Sequence, residues 1–427
     1  MALTKEKTAA YTNILKEELI PAMGCTEPIA IAYAASIISH ALGAYPNEIK
    51  IGLSGNIIKN VKSVIVPKTG GMHGINSAVC AGIISASPHK KLEVLSGILP
   101  EDVSKIRDFQ NSASIEIYEI DSSSPFEIYI EGFLGSQSAS AHLLKRHTNL
   151  VEAYLNGEDV TLRYQSPDDI VEKEATDRSS LNVEEILEFA ETVNLDELSP
   201  ILEKQIEYNM AIAKEGISGD FGASIGRTLY LNRGEDVRVL ARALAAAGSD
   251  ARMNGCELPV CIISGSGNQG ITASVPLCIY AEKLGSTKED LLRALIVSDL
   301  VTIHQKTGIG CLSAYCGAIS AGVGAGCGIC YLHGGRYYEI AHTLVNAVAI
   351  LSGTICDGAK SSCAAKISMA VEAGIMGYEM AKSGHQFYSG EGIVTKGVEK
   401  TIKNVGRLAS VGMSGTDKEI IKIMLGK

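Results

Sequence analysis

Apolar residues recur every three to four positions over residues 5–44, with one interruption at IPAMGCTEP, residues 20–28. That spacing predicts two helices meeting at a break. From residue 48 to 164 the period shortens to two. The runs EIKIGLSGN, ASIEIYEID, FEIYIEGFL, TNLVEAYLNG and DVTLRYQ alternate apolar and polar positions between turn residues, and so predict strands. INSAVCAGIISAS and PEDVSKIRDFQNS, in the same region, carry a helical pattern. Residues 165–180 are polar and charged and read as a linker or a surface excursion. Beyond them the pattern is helical in VEEILEFAETV, VRVLARALAAAGSDARM, KEDLLRALIVSDLVTIHQK, YEIAHTLVNAVAILSGTI and KEIIKIMLG, with no strand-like run after about residue 265. The expected class is α+β: an N-terminal region with a mostly antiparallel sheet, then an all-α region. The segments are 1–45, helices packing on the catalytic domain; 46–180, the α+β domain; and 181–427, the helical catalytic domain.

One stretch departs from this picture. Residues 309–332, IGCLSAYCGAISAGVGAGCGICYL, carry no charge and are long enough to span a bilayer. They are mostly Gly, Ala, Ser and Cys, without aromatic belts or basic flanks. A helix buried on all sides fits them better, its small residues admitting close neighbours.

Composition narrows the partners. A net charge of -10 over 427 residues argues against nucleic acid and anionic membrane. The first 25 residues lack the apolar core of a signal peptide. Eleven cysteines, an odd number clustered late in the chain, suit a cytoplasmic protein with free or metal-bound thiols.

The cysteines carry the candidate chemistry. In SGTICDGAKSSCAAK, residues 352–366, Cys356 and Cys363 lie seven apart. On one helix they would stand about 10 Å apart along the axis, too far for one small centre. A break at Asp357-Gly358, with Gly358 opening the next helix and Asp357 capping it, puts Cys356 in a loop that folds back toward Cys363. Two buried core thiols are the alternative. Cys316 precedes Cys356 by 40 residues, with Cys311 as a competitor. Cys25, before Thr26, Glu27 and Pro28, is expected at a helix N-terminus. There the dipole lowers a thiol pKa and favours anions, although an ordinary buried cysteine satisfies the pattern too. CGIC, residues 327–330, lies within the small-residue helix and reads as packing; Cys80, Cys256, Cys261 and Cys278 read as structural. Three glycine-rich stretches, KTGGMHG (68–74), SGDFGASIGR (218–227) and SGSGNQG (264–270), lack the Gly-Lys-Ser/Thr of a phosphate loop. Each is a tight turn by default, and the last could form an anion nest before a helix.

Together GCTEP, DARMNGCELP, SGSGNQGI, LSAYCGA and ICDGAKSSCA resemble the L-cysteine desulfidase family, the UPF0597 proteins, over essentially the full length. That family is related to the iron–sulfur L-serine dehydratases, whose beta and alpha portions resemble the two halves drawn above. The resemblance implies a 4Fe–4S cluster held by Cys316, Cys356 and Cys363, with Cys25 a fourth ligand or a base. It implies a small amino acid as substrate, bound by Thr26, Glu27, Gly70, Gly71, His73, Ser264, Ser266 and Asn268. The implied reaction eliminates sulfide from L-cysteine, giving pyruvate and ammonia. L-Serine deamination by the same architecture is the nearest rival. A pyridoxal phosphate lyase would need a lysine in a cofactor setting, and none stands out. A non-catalytic cluster-binding sensor is the rival of a different class. A homodimer is an expectation the sequence leaves open.

Overall fold

The computed structural model describes residues 3–122, 124–165, 175–233, 235–310 and 312–426. Helix α1 (Lys5–Glu18) leads through strand β1 (Ile20–Met23) to helix α2 (Thr26–Leu42) and strand β2 (Glu48–Ser54). Helices α3 (Gly55–Val61), α4 (Gly74–Ser85) and α5 (Asp102–Ser112) follow. Strands β3 (Ser114–Ile120), β4 (Glu127–Leu134), β5 (Gln137–Leu144), β6 (Leu150–Leu155) and β7 (Glu158–Asp159) complete a sheet of order β3-β2-β4-β5-β6-β7. Only the β2–β3 pair is parallel, so the sheet is mostly antiparallel as expected.

Alternation does what the sequence predicted. Ile49, Ile51, Leu53, Ile128, Ile130, Ala139, Ala141 and Leu143 face one core, covered by α2, with α4 packed against α2. These helices approach so closely that a Cβ on Gly82 would stand 2.1 Å from the Ala32 carbonyl oxygen, so only glycine fits.

The helical half runs α6 (Val183–Thr192), α7 (Ser199–Ser218), α8 (Ile225–Arg233) and α9 (Val237–Met253), then strand β8 (Pro259–Ile262). It continues through α10 (Gly267–Leu284), α11 (Lys288–Ile309), α12 (Gly317–Leu332), α13 (Tyr337–Leu351), α14 (Cys363–Lys382), α15 (Val398–Arg407) and α16 (Ser414–Leu425). Helix α12 is buried from Ala318 to Cys330, as its composition predicted. It meets α14 backbone to backbone: a Cβ on Gly374 would lie 2.1 Å from the Gly322 carbonyl oxygen. No helix among the described residues is long and apolar enough to cross a membrane.

Several expectations are corrected. The uncharged stretch is helical only from Gly317; Gly310, at φ +90°, ends the preceding helix. The break at residues 20–28 contains a strand, β1, paired antiparallel with β8. QSASAHLL was not expected to be a strand, and forms β5 between β4 and β6. DVTLRYQ does not form the strand expected: Thr161–Arg163 is a turn of 3-10 helix. The linker falls largely outside the described residues. At its end Thr176 and Arg178 bond Glu17 and Glu18 of α1.

The two cores meet at the chain's first turn of direction. Tyr11, Ile14 and Leu15 of α1 belong to the helical core, where Tyr11 packs edge-on to Phe189 at 5.5 Å. Helix α2 belongs to the sheet core. Cys25, between them, packs with Val64 and Met253 in a small cluster at the seam.

Candidate metal centre and substrate cavity

The N-termini of α2, α10, α12 and α14 converge on one cavity at this seam. Their N-cap residues are Cys25, Ser266, Cys316 and Ser362, and none of these side chains caps its own helix. First-turn N–H groups and positive dipole ends are therefore left facing the cavity, which favours an anionic occupant.

Cys25, Cys316, Cys356 and Cys363 all line this cavity. Backbone pairing brings two of them together: Tyr315 and Ile355 form an antiparallel bridge, Cys316 N donates to Thr354 O at 3.0 Å, and Cys356 N donates to Ala314 O at 2.6 Å. Cys363 opens α14, its thiol directed at Gly358 O, 3.6 Å away. Cys311 lies outside the described residues.

Cys356 sits in a loop, as expected, but Asp357 caps nothing. It pairs with Lys360 at 2.5 Å and Lys366 at 2.6 Å. Although burial opposes it, hydrogen bonds from these lysines hold its carboxyl at about 2. The helix starts at Cys363 rather than Gly358 because Gly358, at φ +94°, is pressed on Lys59 O, where a Cβ would come within 2.3 Å. The interaction between the neighbouring Cys316 and Cys356 thiols pulls Cys356 down and pushes Cys316 up. The charges of Lys59 and Lys366 also favour a thiolate at Cys356. Lys59 is itself buried and paired with Asp417 of α16 at 2.6 Å.

Cys25 reverses an expectation. It stands at a helix N-terminus, yet burial, then the charge of Glu27, push its thiol well above the ordinary range, with Arg252 opposing. Its Sγ donates to Glu27 Oε2 at 3.2 Å. Glu27 also accepts from Thr26 Oγ1 at 3.1 Å and Asn60 Nδ2 at 3.0 Å. Against its own burial, Glu27 is held below the usual range by the His147 charge and the Cys25 hydrogen bond.

Of the other residues named from the sequence, Glu27, Ser266 and Asn268 line the cavity. Thr26 ties the site together, its one hydroxyl proton shared between Glu27 and Gly265 O, 3.0 Å away. Ser264, at φ +47°, stands off the lining, its N–H held by Glu18 Oε2 at 2.8 Å. Gly70, Gly71 and His73 are exposed on the turn before α4 and are not brought to the cavity. Arg252, Gln269 and Asn60 line it and were not singled out by sequence reasoning. The available signal for Arg252 was a lone cation in the otherwise small-residue end of α9, AAAGSDARM.

Among the described residues, no three His, Cys, Asp or Glu side chains have the geometry to hold a single metal ion. A cubane asks for something else: each thiolate binds a different iron, so the sulfurs stand further apart than around one ion. The donor set fits such a group. Thiols dominate it, and four helix N-termini with Lys59, Lys366 and Arg252 nearby offset the negative charge of a thiolate-bound cluster.

The model of the family described as serine dehydratase alpha chain matches residues 89–422. The chain belongs to this family. Within the family it is similar to a UPF0597 protein of Desulfitobacterium hafniense, 53% identical over 418 residues, covering 98% of this chain and 96% of the relative. A UPF0597 protein of Treponema denticola is 44% identical over 432 residues, covering 100% of both chains. One of Bacteroides fragilis is 37% identical over 431 residues, again covering 100% of both.

Proposed function

We propose that this protein is an iron–sulfur-dependent lyase of the serine dehydratase type that eliminates sulfide from L-cysteine. The observation that carries the reading is the convergence of Cys25, Cys316, Cys356 and Cys363, from distant parts of the chain, on one cavity with a buried arginine. Cys316, Cys356 and Cys363 would hold a 4Fe–4S cluster. When bound, such a cluster with one iron free of protein ligands supplies a Lewis acid for the leaving group.

The chain's own residues do the rest. Cys25 stands at the cavity wall with Glu27 accepting its thiol proton, an arrangement suited to moving a proton at the substrate Cα. Asn60 and Thr26 fix the Glu27 carboxylate in that role. Ser266 and Asn268 present the start of α10 to the substrate's polar end. Loss of the Cα proton and of hydrosulfide from Cβ leaves aminoacrylate. Its imine tautomer takes up water and yields pyruvate and ammonium.

L-Serine is the second reading, favoured by the family description itself. Elimination then expels hydroxide, and the same residues serve. Anaerobic reconstitution with iron and sulfide, followed by metal counting and parallel assays of sulfide, pyruvate and ammonia, tests both. Sulfide release from L-cysteine exceeding deamination of L-serine supports the first reading. The reverse order supports the second. A reconstituted protein with no cluster absorption and no product from either amino acid removes both.

A further inference from the structure

Arg252 is buried at the end of α9, only 3% exposed, and lines the cavity. Its Nε donates to Gly24 O at 3.0 Å, and one terminal nitrogen donates to Asn268 Oδ1 at 3.1 Å. Both acceptors are neutral. Among the described residues no carboxylate lies within ion-pair distance of the guanidinium. Glu27 and Cys25 feel its charge without being bonded to it. A buried guanidinium with five donors and no anionic partner is costly unless something else supplies the charge.

A second buried group is unmatched a short way along α10. Gln269 is 4% exposed and lines the cavity, and its Oε1 has no hydrogen-bond partner. Its amide is backed against Gly317, where a Cβ would come within 2.7 Å of the amide carbon. Gly317 lines the same cavity, and a side chain there would displace the amide.

We infer that Arg252 and Gln269 are a split recognition site for the zwitterionic end of an α-amino acid. Arg252, steadied by Asn268, takes the α-carboxylate; the Gln269 carbonyl accepts from the α-ammonium. The substrate's side chain is then left to face the wall formed by Cys316, Cys356 and Cys363. Arg252 is thus a substrate-binding residue that also fixes which end of the amino acid meets the thiols. The assignment rests on the lyase reading for its substrate class, but it concerns this chain's own polar groups and does not require a cluster.

The test uses the full chain without cluster and titrates it calorimetrically with L-alanine, which has no leaving group, L-alaninamide, which has no carboxylate, and propionate, which has no ammonium. L-Alanine is expected to bind at least about tenfold tighter than either analogue. Arg252→Gln is expected to weaken L-alanine by a similar factor, and Arg252→Lys to recover part of the loss. The analogue series in the wild-type chain keeps the test decisive if Arg252→Gln folds poorly. L-Alaninamide binding as well as L-alanine, or no measurable L-alanine binding, overturns the inference. Reconstituted protein separates it from the lyase reading. Turnover by the wild type, with Arg252→Gln keeping the wild-type KM, removes the carboxylate site and leaves the lyase. No turnover, with L-alanine still preferred over its amide in an Arg252-dependent way, removes the lyase and leaves the site.

Discussion

Cys356 is the side chain on which the proposed centre most depends, because its loop is clipped to that of Cys316 and two lysines favour its thiolate. Cys356→Ala is expected to lose most of the reconstituted iron and at least about a hundredfold in activity. Cys327→Ala, in the CGIC stretch packed inside α12, is expected to retain iron and cost about 1 kcal/mol of stability, read by iron counting and urea unfolding. Iron loss in the second variant and not the first would reassign the ligands. Cysteines were legible in the sequence because their spacing and small neighbours are unusual. Arg252 and Gln269 were not, because what marks them appears only after folding: a buried guanidinium bonded to neutral acceptors alone, and a buried amide oxygen with no donor. A second buried residue sets a pH dependence. Asp299, in α11, accepts from Gln205 at 3.0 Å but leaves Oδ2 unpaired, and burial raises its pKa to about 7. The folded state then binds a proton that the unfolded chain has released above its ordinary value, so stability falls as pH rises from about 4 to about 7. Asp250, raised by burial to about 6, acts in the same direction. Unfolding in urea is expected to show a loss of about 4 kcal/mol between pH 5 and pH 7.5, and Asp299→Asn to remove more than half of it, leaving the part that belongs to Asp250. An equally steep loss in that variant would assign the effect elsewhere.

At the scale of the element, periodicity predicted what it could see. The strongly alternating β2, β3 and β4, and the long helices α9, α11 and α13, stand where the pattern put them. Strand β5 escaped because Ser138, Ala139, Ser140 and Ala141 have little side chain to register alternation; its place comes from its neighbours in the sheet. Strand β1 escaped because four residues pair with a partner more than two hundred positions away. Small residues have the opposite effect in α12, where they are read easily and matter most. Gly374→Ala drives a methyl into the Gly322 carbonyl, with backbone on both sides and no flexible side chain to yield. It is expected to cost about 3 kcal/mol and to lower the thermal midpoint. Since α12 and α14 each present a cysteine at their N-terminus, the variant is also expected to hold less iron. Normal stability and normal iron content together would show that these helices can part without disturbing the site.

Taken as a whole, the molecule places its candidate centre where two cores meet. Cys25 and Glu27 begin the helix that covers the sheet, while Cys316, Cys356 and Cys363 belong to the helical half. Arg252 reaches across from α9 to the carbonyl of Gly24, and Lys59 of α3 reaches across to Asp417 of α16. An occupant touching both sides binds the folded arrangement and not the separated halves, so it must stabilise their union by linkage. Loading the cluster is expected to raise the thermal midpoint by several degrees, since about 3 kcal/mol follows at a hundredfold excess over the dissociation constant. It is also expected to sharpen unfolding into one transition, because neither core can open without breaking the site. Stripping the iron with a chelator under nitrogen should restore the lower midpoint and the broader melt. If Cys25 contributes to this coupling, Cys25→Ser should lose part of the shift while retaining iron held by the helical half. A cluster that binds fully yet leaves the melt of both halves unchanged would mean that the centre lies within one core, and that the seam only happens to run beside it.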